Sequence, residues 1–135
     1  SELARPNANT NVVDWMGSHD PSSLSITAIT AAELLYGVLR MPPGAPRSRL
    51  EKFLSLTIHV AFENAVLSFD LEASQYYAQI TTTREKLGRP ISVADAQIAG
   101  ICLAHGATLA TRNVKDFEGV GVSLVDPWLK HDRTT

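Results

Sequence analysis

Apolar residues along the chain recur at two spacings, and the switches between them divide it into short strands and longer helices. Val12, Val13, Trp15 and Met16 stand at helical spacing over Asn11 to Met16, before a loop from Gly17 to Ser22 marked by Gly, Asp, Pro and Ser. Leu24 and Ile26 alternate with Ser25 and Thr27, which predicts a short strand. Thr30-Ala31-Ala32-Glu33 has the form of a capping box, and Leu34, Leu35, Val38 and Leu39 continue a helix that cannot pass Pro42 and Pro43. A second helix is expected from Pro46 to Leu56, with Leu50, Phe53 and Leu54 facing inward. Ala65 to Phe69 predicts another strand, and Asp70 is placed to cap a long helix from Leu71 to Leu87 that Gly88 and Pro90 close. Ser92-Val93-Ala94-Asp95 repeats the capping pattern, and Ile98, Ile101, Cys102 and Leu103 carry a helix to His105, ended by Gly106. Thr108 to Thr111 and Val122 to Val125 read as strands, separated by a loop containing Asn113, Asp116, Gly119 and Gly121. This alternation predicts an α/β fold, a mostly parallel sheet with helices on both faces.

Composition narrows the picture. With 135 residues, 44% of them hydrophobic and 19% charged, the chain is expected to be one domain over residues 1–135 with a core of its own. Its apolar runs are short and no basic start precedes an apolar stretch, so neither a membrane span nor a signal peptide is read. The single cysteine, Cys102, has no partner for an internal disulfide or a thiolate metal site, and a reducing cytoplasm is the expected compartment. A net charge of −2 and a pI near 6.0 exclude a protein that holds nucleic acid by bulk phosphate neutralisation. Basic residues nevertheless gather at Arg40, Arg47, Arg49 and Lys52, at Arg84, Lys86 and Arg89, and at Arg112 and Lys115. The first two groups read as solvated helix faces.

Ligands of an open parallel sheet bind outside the carboxyl ends of its strands, and three acidic residues fall there. Glu33 follows the strand around Ile26, Asp95 lies in the first turn of the Ser92 helix, and Asp116 lies in the loop after Thr108 to Thr111. Carboxylates gathered at one edge repel one another and are normally stabilised by Mg²⁺ or Mn²⁺, which suits phosphodiester hydrolysis. Each also has a purely structural reading: Glu33 as the partner of Thr30 in the capping box, Asp95 as a complement to its helix dipole, Asp116 as a turn residue. Asp70 is accounted for by its cap. His19, His59, His105 and His131 are scattered without zinc-ligand spacing. There is no Gly-rich phosphate loop, no Ser nucleophile elbow and no receiver-type acidic pair with a later Lys. Trp15, Tyr76 and Tyr77 have the shape for base stacking, though packing is the simpler role.

Three segments resemble the VapC and FitB branch of the PIN-domain family, toxins of type II toxin-antitoxin systems. They are Thr30-Ala31-Ala32-Glu33-Leu34-Leu35-Tyr36-Gly37, Gly88-Arg89-Pro90-Ile91-Ser92-Val93-Ala94-Asp95-Ala96-Gln97-Ile98-Ala99, and Thr108-Leu109-Ala110-Thr111-Arg112-Asn113-Val114-Lys115-Asp116-Phe117-Glu118-Gly119. The resemblance extends to Val125-Asp126-Pro127-Trp128. It implies a PIN-like three-layer α/β/α sandwich and a Mg²⁺- or Mn²⁺-dependent endoribonuclease. It further implies a homodimer and a cognate antitoxin that blocks the active site. Carried over by motif, Glu33, Asp95 and Asp116 are the catalytic, metal-binding positions and Thr111 and Asn113 their polar supports, with Arg112 and Lys115 set to guide an RNA backbone.

One departure accompanies the resemblance. Family members open with a short apolar strand ending in an aspartate, the first member of the acidic set. Ser1-Glu2-Leu3-Ala4-Arg5-Pro6 looks like the segment after that strand, so the strand and its carboxylate are expected to be missing from this sequence. Glu2 and Asp14 read as surface residues rather than replacements. The incomplete set leaves a second expectation open, a catalytically silent PIN module that acts by binding.

Overall fold

A computed structural model of the chain describes Asp14, Ser18 and residues 24–127. The predicted Asn11 to Met16 helix, Trp15, His19 and His131 lie outside the described residues, Asp14 apart. The elements run β1 (Ile26–Thr27), α1 (Ala28–Leu39), α2 (Ala45–Leu56), a π-helical turn (Thr57–Ala61) and β2 (Val66–Leu67). They continue with α3 (Leu71–Lys86), α4 (Val93–His105), β3 (Leu109–Ala110), a 3-10 turn (Val114–Phe117) and β4 (Leu124–Val125).

The local signals act where local chemistry decides. Asp70 caps α3 by accepting from the Ala73 amide at 2.9 Å, and Gly88, at φ 69°, turns the chain out of the helix. Gly106 does the same for α4 at φ 63°. Two expectations are corrected. The cap of α1 is Thr27, whose extended backbone starts the helix three residues before Thr30 and whose hydroxyl accepts from the Thr30 amide at 3.0 Å. In α2 only Leu54 is fully buried, while Phe53 is 42% exposed, because α2 packs on α1 along a narrow stripe rather than on a broad core.

Among the described residues all strand pairing is parallel, as the alternation predicts. Ile26 pairs with Val66 and Thr27 with Leu67, while Leu109 pairs with Leu124 and Ala110 with Val125. Among the described residues these are two separate two-stranded sheets, not one continuous sheet, and each strand is shorter than its apolar pattern suggests.

The core gathers around α4. Ala96, Ile98, Ala99, Gly100, Ile101 and Cys102 are all buried, and a helix apolar on every side belongs in the interior. It packs chiefly on α3, and also on α1, β1 and the 3-10 turn. Ile80, Ala96, Ala99 and Phe117 form its central cluster, with Tyr76 and Tyr77 packed against them. Tyr77 further meets Phe69 edge to face, with ring centroids 5.9 Å apart, so both tyrosines serve packing. No helix among the described residues is long and apolar enough to cross a membrane.

Candidate active site

Each acidic position is set by a different local device. With Thr27 as cap, Glu33 stands in the second turn of α1, clear of the terminal amides, and is exposed. The capping-box role read for it is therefore absent, and nothing in the helix start requires a carboxylate there. Asp95 sits in the first turn of α4, where Ser92 caps the helix by accepting from the Asp95 amide at 3.1 Å. That bond uses the Asp95 backbone and leaves its half-buried carboxylate to the helix dipole and to any ligand. Asp116 lies in the 3-10 turn rather than in a plain loop. Its amide donates to the Asn113 carbonyl at 3.0 Å, the next residue, Phe117, is buried in the core, and its own side chain is exposed.

α1 and the 3-10 turn both pack on α4, so the three residues are carried on mutually supporting elements. Their side chains are not gathered: among the described residues, no three His, Cys, Asp or Glu side chains are grouped so as to hold a metal ion. The donor chemistry itself fits a hard divalent cation, since all three are oxygen ligands. None of the three carboxylates takes part in an ion pair or side-chain hydrogen bond among the described residues.

The supporting positions differ from one another. The Thr111 hydroxyl accepts from the Asn113 amide at 3.1 Å, which fixes the turn leading to Asp116, while Asn113 and Lys115 are exposed. Arg112 is exposed as well. His105 approaches Asp70 at 3.9 Å at the far end of α4, and His59 is exposed on the π-helical turn.

Arg84 is the residue that the charge pattern misplaced. It is 6% exposed, not part of a solvated face, and its guanidinium donates to the carbonyls of Arg89, Asp116 and Glu118. The signal was present in the spacing: Ala73, Tyr77, Ile80 and Arg84 lie on one stripe of α3, the stripe that faces the core.

The PIN domain family model matches residues 3–122. The chain is 35% identical over 128 residues to the VapC ribonuclease Y4jK of Sinorhizobium fredii, covering 95% of this chain and 91% of that protein. It is 35% identical over 132 residues to toxin FitB of Neisseria gonorrhoeae, covering 98% of this chain and 94% of FitB. The solved structure of FitAB bound to an IR36 DNA fragment superposes with a TM-score of 0.90 at 32% identity, covering 98% of this chain and 93% of the matched one.

Proposed function

Since this chain belongs to the PIN-domain family, in its VapC and FitB branch and with the PIN-like α/β/α fold, we propose that it is a toxin endoribonuclease acting through Glu33, Asp95 and Asp116. The observation that carries the reading is that all three carboxylates stand on elements packed around α4 and, among the described residues, have no side-chain partner of their own. Glu33 supports it most, because the helix start that would have explained it is built from Thr27 instead. The name of the Sinorhizobium relative supports ribonuclease chemistry, and that of the Neisseria relative a toxin.

Glu33, Asp95 and Asp116 would hold Mg²⁺ or Mn²⁺. When bound, such an ion polarises a phosphodiester oxygen and makes water a better nucleophile. The chain's own contribution is to keep three oxygen donors apart from competing partners, with Thr111 and Asn113 shaping the turn beneath Asp116. Arg112 and Lys115 flank that turn and supply positive charge toward an RNA backbone in a chain whose net charge is −2.

A protein partner fits the surface of the helical pair. Leu35, Tyr36 and Leu39 on α1 and Phe53 and Leu56 on α2 are exposed, apolar side chains that a partner protein would cover. A cognate antitoxin and a second copy of the chain are the two partners of this reading, and the FitAB complex supports the first.

Asp95→Asn tests the function. The substitution keeps the backbone amide that Ser92 caps, so folding by circular dichroism is expected to be retained while cleavage of RNA in Mg²⁺ or Mn²⁺ is lost. Undiminished cleavage by the variant would sink the reading. RNA binding without cleavage by the unaltered chain would support a silent PIN module instead.

A further inference from the structure

Burial of Arg84 calls for a reason. A guanidinium removed from water loses hydration that a carboxylate normally replaces, yet Arg84 forms no ion pair among the described residues. Its Nε donates to the Arg89 carbonyl at 2.7 Å, and its Nη1 to the carbonyls of Asp116 at 3.0 Å and Glu118 at 3.4 Å. The Arg89 amide in turn donates to the Arg84 carbonyl at 3.0 Å, closing the end of α3.

These partners belong to two separate loops. Arg89 opens the short connection to Ser92, the cap of α4, and so fixes the approach to Asp95. Asp116 and Glu118 bracket Phe117 in the 3-10 turn, whose short-range hydrogen bonds hold shape poorly. A planar guanidinium with donors on two sides spans both loops at once, and a lysine ammonium does not reproduce that fork.

We infer that Arg84 is a positioning residue of the acidic site: by clamping the backbone at Arg89 and at Asp116–Glu118 it sets the separation of the Asp95 and Asp116 carboxylates. The inference rests on the reading of Asp116 as a metal-site carboxylate. Arg84 acts through backbone carbonyls and touches no reacting atom.

The test compares Mn²⁺ binding, followed by electron paramagnetic resonance of the free ion, in the unaltered chain, Arg84→Lys, Arg84→Gln and Asp116→Asn. Circular dichroism checks each fold, and amide hydrogen exchange follows residues 113–119 against α4. Both Arg84 variants are expected to weaken Mn²⁺ binding by about tenfold, the lower end for loss of an outer-shell partner. Exchange is expected to speed up at Asp116 and Glu118 but not at Ile101 in α4, a local change that general destabilisation would not give. If Asp116→Asn weakens Mn²⁺ binding and the Arg84 variants do not, or if exchange rises equally in α4, the inference is overturned. If the unaltered chain binds no Mn²⁺, or Asp116→Asn binds it undiminished, the reading of the acidic site itself has failed.

Discussion

Gly100 on α4 lies so close to Ala73 on α3 that a Cβ at position 100 would stand 2.6 Å from the Ala73 carbonyl oxygen. The Tyr77 amide nitrogen would be 3.2 Å away. Both neighbours are backbone atoms of a helix, so neither can rotate aside as a side chain would. The α3–α4 contact, the most extensive between helices in the described fold, is built at this distance.

Gly100→Ala is therefore expected to destabilise. Alanine gains about 1 kcal/mol over glycine within a helix, but forcing a methyl into a packed contact costs about 1–3 kcal/mol and separates α3 from α4. A lower thermal midpoint in calorimetry is the expected outcome. An unchanged or higher midpoint would mean that the helices are not this close.

Helix capping gives a second prediction. Thr27→Ala removes the oxygen that accepts from the Thr30 amide and should cost about 1 kcal/mol in urea unfolding. Glu33→Ala should stay within about 0.5 kcal/mol of the unaltered chain, as expected for an exposed side chain without a structural partner among the described residues. The reverse ranking would restore the capping box at Thr30 and return Glu33 to a structural role.

Cys102 is 3% exposed, and its burial pushes the thiol up from its ordinary 9.0 to about 11. A raised thiol pKa means that the folded chain keeps the proton where the unfolded chain has released it. The resulting contribution to stability is complete below about pH 9 and is lost as pH rises toward 11. Urea midpoints measured across that window should fall more steeply for the unaltered chain than for Cys102→Ala. Parallel pH profiles would contradict the burial.

What could be read in advance follows from how far each feature depends on distant residues. The caps at Asp70 and Ser92 and the stops at Gly88 and Gly106 are decided within a few residues, and the sequence carries them openly. Thr27 and Thr30 are both competent caps, so choosing between them needed the strand that Thr27 ends. Phe53 looked buried because periodicity reports which face is apolar and not whether anything covers it. Arg84 was hidden for the opposite reason, a charge on the apolar stripe two of whose three carbonyl partners lie more than thirty residues away. The motif positions Glu33, Asp95 and Asp116 were nameable from the sequence. Their mutual geometry was not, since it depends on how α1, α4 and the 3-10 turn pack.

The most direct test of the nuclease reading is cleavage of an end-labelled structured RNA by the purified chain, in Mg²⁺ or Mn²⁺ against chelator, with Asp116→Asn alongside. Cutting that requires the metal and disappears in Asp116→Asn is the predicted result. Cutting that persists in chelator, or that the variant performs as well as the unaltered chain, would contradict it.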